Sequence, residues 1–126
     1  MSLHLPDAKV SEARILIVED EPLIAEMIAE ALEEQGYVVV GPVPRLSDAV
    51  GIAREASIDA ALLDIDLNGE GVFPVADVLS ERAIPFMFLT GYVAEGLAPA
   101  HRRRPIMHKP VRPDDLLEGV AKLVAR

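Results

Sequence analysis

The chain contains no cysteine, which excludes disulfides, thiolate nucleophiles and cysteine-ligated zinc. It also lacks any apolar run approaching the ~20 residues that a membrane-spanning helix needs. Its first ten residues, "MSLHLPDAKV", put Pro6 and Asp7 where a signal peptide requires an unbroken apolar core. Positive charge is scarce: 12 Lys and Arg stand against 21 Asp and Glu, a net charge of −9. Such a surface repels phosphates and argues against general affinity for nucleic acid. The one basic cluster, "HRRRP" at 101–105, has no interleaved aromatics and reads as a solvated loop. No glycine-rich phosphate loop follows the first apolar run, where "EDEP" would repel a nucleotide. The expected setting is the cytoplasm, with no membrane contact and no direct nucleic-acid contact.

What is present is a single domain's worth of core. Of 126 residues, 51% are hydrophobic and 26% charged, a globular balance. The runs "RILIV" (14–18), "YVVV" (37–40), "DAALL" (59–63), "PFMFL" (85–89) and "PIM" (105–107) are short and continuously apolar. Runs of that kind suit strands covered on both faces, as in a parallel sheet. Between them the spacing turns helical. Leu23, Ile24, Met27, Ile28, Ala31 and Leu32 form one stripe, ended by Gly36. Leu46, Ala49, Val50 and Ala53 suggest a second helix; Val72, Val75, Ala76, Val78 and Leu79 suggest a third, with Pro74 tolerated in its first turn. Leu116, Leu117, Val120, Leu123 and Val124 form a last stripe after Pro113 and two acids, which suit a helix N-terminus.

Strand alternating with helix predicts a three-layer, doubly wound α/β sheet with right-handed crossovers. Ligands in such sheets bind at the carboxyl ends of the strands. The first run ends in Glu19-Asp20-Glu21, the third in Asp64-Ile65-Asp66, the fourth in Thr90-Gly91, and the fifth enters Lys109-Pro110. Acids, a hydroxyl and an amine therefore converge on one edge. Clustered carboxylates suit Mg²⁺, with Asp20 and Asp64 as direct ligands and Glu19 acting through water. A carboxylate can also be a nucleophile that accepts a phosphoryl group. Thr90 can donate its hydroxyl to a phosphoryl oxygen, Lys109 supplies positive charge, and Gly91 leaves its backbone N–H open to close approach. Alone, each has an ordinary reading: acids at a helix start, a strand threonine, a solvated lysine, a turn aspartate. His4, His101 and His108 show no metal-ligand spacing and read as surface residues.

"ILIVEDEP", "ALLDIDL", "FLTGY" and "HKPVRPDDLL" together resemble the receiver domain of two-component response regulators, over residues 14–125. The resemblance implies a five-stranded parallel sheet in the order 2-1-3-4-5, with residues 14–126 as the receiver and 1–13 as an extension. It implies phosphoryl transfer from a histidine kinase or phosphotransfer protein onto Asp64 with Mg²⁺. Glu19 and Asp20 match the family's acidic pair, Thr90 its switch hydroxyl and Lys109 its lysine. The Asp66 backbone carbonyl would complete the metal shell, and the backbone of Ile65 and Gly91 would meet the phosphoryl group. The Lys109–Pro110 bond would be cis. Ile106 stands where receivers commonly carry Tyr or Phe, and "PFMFLTGY" resembles a subgroup with a Phe-x-Thr-Gly-Tyr signature and a reduced fourth helix. Gly91, Gly96 and Pro99 agree with a short helical turn there, with Tyr92 nearest the site. The loop, including Arg102 to Arg104, is expected to order on phosphorylation and face a partner. Any output domain would lie outside these residues.

Two other readings differ in class. Asp64-Ile65-Asp66 also resembles the nucleophile and acid of haloacid-dehalogenase-type phosphatases, but Asn68 stands where those carry Thr or Val, and there is little room for a cap. A pseudo-receiver, an interaction module without phosphorylation, would not need the full set of Glu19, Asp20, Asp64, Thr90 and Lys109.

Overall fold

A computed structural model describes residues 12–67, 69–91 and 104–125. The apolar runs form the strands β1 (Arg14–Val18), β2 (Val38–Val43), β3 (Ala60–Asp64), β6 (Phe86–Thr90) and β7 (Ile106–His108). A two-residue hairpin, β4 (Asp66–Leu67) with β5 (Glu70–Gly71), follows β3. The main sheet runs β2-β1-β3-β6-β7 with every neighbouring pair parallel. This is the expected 2-1-3-4-5 order once the hairpin is left out.

Alternate residues of each strand point to opposite faces, and both faces are covered. Leu16, Val18, Leu63, Phe86 and Phe88 pack beneath the helices α2 (Leu46–Glu55) and α3 (Phe73–Glu81). Ile15, Ile17, Leu62, Met87 and Leu89 pack against α1 (Pro22–Glu34) and α4 (Pro113–Val124). That double cover is why these strands read as unbroken apolar runs. Among the described residues no helix is long and apolar enough to cross a membrane.

Three expectations change, and one falls outside the described residues. Leu23 does not belong to the buried stripe: it is 81% exposed in the first turn of α1, and the helix buries Ala25, Ile28 and Leu32 instead. Strands β3, β6 and β7 each sit one residue later than their apolar runs, so Asp64, Thr90 and His108 are ladder residues. Arg104 is not simply solvated, since its guanidinium stacks 4.3 Å from the Phe86 ring centre and donates to Ser80 Oγ at 2.9 Å. Residues 92–103, with Tyr92, Arg102 and the expected short helical turn, lie outside the described residues.

Strand β2 runs three residues past Val40, and the pairing with β1 shifts register between Leu16 and Val18. Gly41 makes the extension possible. Its φ is +103°, and a Cβ there would lie 2.8 Å from the Val43 nitrogen and 2.9 Å from the Ile17 oxygen. Gly41→Ala should therefore destabilise the domain, by about 1–3 kcal/mol from backbone strain alone, with the clash adding to it. Chemical denaturation checks this; an unchanged midpoint would contradict it.

Candidate functional site

Parallel strands that all start at one end of the sheet deliver their last residues to the other. Leu63 lies beside Val18 and Phe88, and Asp64 beside Leu89, so Glu19, Asp64 and Thr90 emerge together. All three are buried, although they are polar. Lys109 follows β7, and its backbone N–H donates to the Thr90 carbonyl at 2.8 Å, tying the lysine to the end of β6. The Lys109–Pro110 peptide is cis.

The side chains meet around the Lys109 ammonium. Nζ donates to Glu21 Oε1 at 2.9 Å, to Asp64 Oδ2 at 3.2 Å and to Glu19 Oε2 at 3.3 Å. Glu19 Oε1 is also 3.2 Å from Nζ, near enough for charge attraction, yet it has no hydrogen-bond partner among the described residues. The other Asp64 oxygen, Oδ1, accepts the Asp66 N–H at 3.2 Å. The Asp66 carboxylate turns to its own hairpin, where Oδ1 accepts the Gly69 N–H at 3.0 Å. The two aspartates quoted together in the sequence therefore do different work.

Burial and crowding set the protonation behaviour. Burial, followed by the hydrogen bonding and charge of the neighbouring Glu19, pushes Asp64 from its ordinary 3.8 up to about 7, against the pull of Lys109. For Lys109, burial disfavours the ammonium, but the hydrogen bond to Glu21 and the charges of Asp64 and Glu19 outweigh it and hold the pKa above its ordinary value. One cation thus serves three carboxylates.

Ligand oxygens of Glu19, Asp20 and Asp64 lie within 4.8 Å of one another. The set contains only hard oxygen donors, as Mg²⁺ prefers, and the buried, unpartnered Glu19 Oε1 leaves one of them unsatisfied. The residues fit a small dication. Of the other expected site residues, Ile106 is half-buried and packs against the α2–α3 side of the core. Among the described residues, a Cβ on Gly91 would meet no heavy atom within 4 Å.

The response regulator receiver domain model matches residues 15–121. The chain belongs to this family. Receiver domains are regulatory signalling domains of two-component systems rather than catalytic enzymes. This one is 31% identical over 117 residues to the transcriptional regulatory protein PdtaR of Mycobacterium tuberculosis, which covers 90% of this chain but 57% of that protein. The chain thus spans little more than half of that relative. The solution structure of SdrG from Sphingomonas melonis is 42% identical with a TM-score of 0.74, covering 91% of this chain and 95% of that one. The receiver domain of a Pseudomonas aeruginosa sensor histidine kinase is 23% identical with a TM-score of 0.77, covering 91% and 99% of the two chains; it was crystallised with a magnesium ion in its active-site cleft.

The sequence reading gave Glu21 no role, although it makes the shortest contact to Lys109. The available signal was a third consecutive acid placed before Pro22, at a helix start where Ser, Thr, Asp or Asn is the better cap.

Proposed function

We propose that this receiver domain accepts a phosphoryl group on Asp64 from the phosphohistidine of a histidine kinase or phosphotransfer protein, in the cytoplasm, and thereby changes how it meets a downstream partner. The observation that carries this reading is the buried Asp64 carboxylate held 3.2 Å from the Lys109 ammonium. An Asp64 oxygen attacks phosphorus; the O–P bond forms as the P–N bond breaks, and the leaving imidazole nitrogen keeps the electron pair and takes a proton. Lys109 supplies charge to the phosphoryl oxygens, Thr90 a hydroxyl, and the backbone of Ile65 and Gly91 further donors. Asp20, Asp64 and the Asp66 carbonyl would hold Mg²⁺ directly and Glu19 through water. When bound, the ion neutralises charge on the transferred group. The Phe-x-Thr-Gly-Tyr stretch and Ile106 support placing the domain in the receiver subgroup that carries that signature.

Incubation with acetyl phosphate and Mg²⁺ should add one phosphoryl group per chain by intact mass, and chelation should prevent it. No addition in Mg²⁺ would contradict the reading. A second expectation concerns the metal alone. An ion that binds only the folded arrangement stabilises it by mass action, so millimolar Mg²⁺ should raise the melting temperature. Asp20→Asn should shrink that rise while removing one repelling charge from the metal-free protein. A melting temperature indifferent to Mg²⁺ would count against the site.

A further inference from the structure

An ammonium has three N–H donors, and at Lys109 all three are committed: to Glu21, Asp64 and Glu19. The three acceptors are not equivalent. The Asp64 and Glu19 side chains are 7% and 0% exposed, whereas Glu21 is 58% exposed. A buried carboxylate that loses its donor loses much more than one that can turn to water. A phosphoryl oxygen on Asp64 that needs a Lys109 donor must displace one acceptor, and Glu21 is the one that leaves at least cost.

The local backbone supports this. Glu21 occupies the N-cap of α1, yet its side chain makes no capping bond to its own helix. It reaches instead to a lysine 88 residues away, at the end of β7 and across β3 and β6 in the sheet. Its backbone N–H donates to Glu19 Oε2 at 3.1 Å. One residue therefore fixes two members of the site, Glu19 through the main chain and Lys109 through the side chain. A side-chain substitution leaves the first hold in place.

We propose that Glu21 is a positioning residue acting through Lys109: it holds the ammonium in the unmodified protein and is the partner released when a phosphoryl group arrives. This rests on the phosphoacceptor reading of Asp64. Glu21 consequently opposes phosphoryl binding, both by occupying a Lys109 donor and by adding negative charge beside an incoming dianion.

The test uses Glu21→Gln with two readouts. The chain has three lysines, Lys9, Lys109 and Lys122, so lysine-labelled NMR resolves the Lys109 ε-methylene. In the metal-free wild type its two protons should have distinct shifts, as a fixed side chain requires, and in Glu21→Gln the separation should shrink. With Mg²⁺, beryllofluoride should bind Glu21→Gln about tenfold more tightly, because a neutral amide oxygen holds the Lys109 donor more weakly than a carboxylate and adds no negative charge beside the anion. Glu21→Asp, charged but one methylene shorter, should fall between the two. Identical Lys109 signals in wild type and Glu21→Gln, or a beryllofluoride affinity unchanged or weakened, would overturn the proposal. If neither protein took up beryllofluoride while the Lys109 signals still changed, the phosphoacceptor reading would fail: Glu21 would remain the lysine's anchor and lose its role as a released partner.

Discussion

Asp64→Asn should abolish phosphoryl uptake from acetyl phosphate and also remove part of the pH dependence of stability in the metal-free protein. The first effect follows from chemistry: an amide is not a nucleophile toward phosphorus, and Asp64 is the carboxylate seated in hydrogen-bond contact with Lys109 on one oxygen and the Asp66 backbone on the other. The second follows from linkage. Asp64 titrates near 7 in the folded protein and near 3.8 when unperturbed, so between those values the folded state binds more protons than the unfolded one. Its contribution is fully present below about 3.8 and is lost as pH rises through about 7. Subtracting the mutant's melting curve from the wild type's isolates this residue from the other acids. Relative to wild type, Asp64→Asn should gain stability as the pH rises from about 4 to about 7 and level off above that. Saturating Mg²⁺ should shrink that gain, because the ion stabilises the wild-type carboxylate. Calorimetry across pH, with and without chelator, checks this. A mutant that still labels, or a difference curve flat with pH, would contradict the assignment.

Lys109→Met should have the other large effect, and its direction reverses. The substitution keeps much of the side chain's volume but removes the cation that Glu19, Glu21 and Asp64 share. Removing one partner from a buried ion pair typically costs about 3–5 kcal/mol. Here the cost should lie toward the lower end in mild acid, where Asp64 can take a proton, and grow as the pH rises. Phosphoryl uptake should slow by roughly 10²–10³-fold, the usual loss when a charge-stabilising donor is removed, without disappearing, since Asp64 remains. Denaturant unfolding at two pH values and a labelling time course measure both. Stability equal to wild type at alkaline pH would show that Lys109 does not balance these carboxylates.

The parts of this architecture that depend on short-range pattern were legible in the sequence. Strands covered on both faces leave continuous apolar runs, and α4 carries its proline and acids at the expected end. The convergence of Asp64 and Thr90 at strand ends, with Lys109 just past β7, was legible because the end of a buried strand is marked by the change from apolar to polar. Most of what escaped depends on neighbours far along the chain. Leu23 is apolar and adjoins the stripe of α1, but it stands two, five and nine residues from the buried Ala25, Ile28 and Leu32, which puts it on the opposite, solvent side of a helix with 3.6 residues per turn. The extension of β2 through Gly41 and Pro42 needs an edge position and a positive φ, neither of which a Gly-Pro pair announces. Arg104 looked solvated because its partner, Phe86, is an ordinary core residue of another strand. Glu21 was hidden by a local explanation that was sufficient, acids favouring a helix start, while its actual partner stands 88 residues away.

The central claim is that the converging strand ends make Asp64, and none of its acidic neighbours, the atom donor to phosphorus. Borohydride reduction of the phosphorylated protein, followed by peptide mass mapping, tests this most directly, because an aspartyl phosphate is reduced to homoserine at the residue that carried it. The account predicts homoserine at position 64 alone, in protein treated with phosphodonor and Mg²⁺. Homoserine at position 20 or 66, reduction at Glu19 or Glu21, or no reduced residue in protein that had gained phosphate would contradict it.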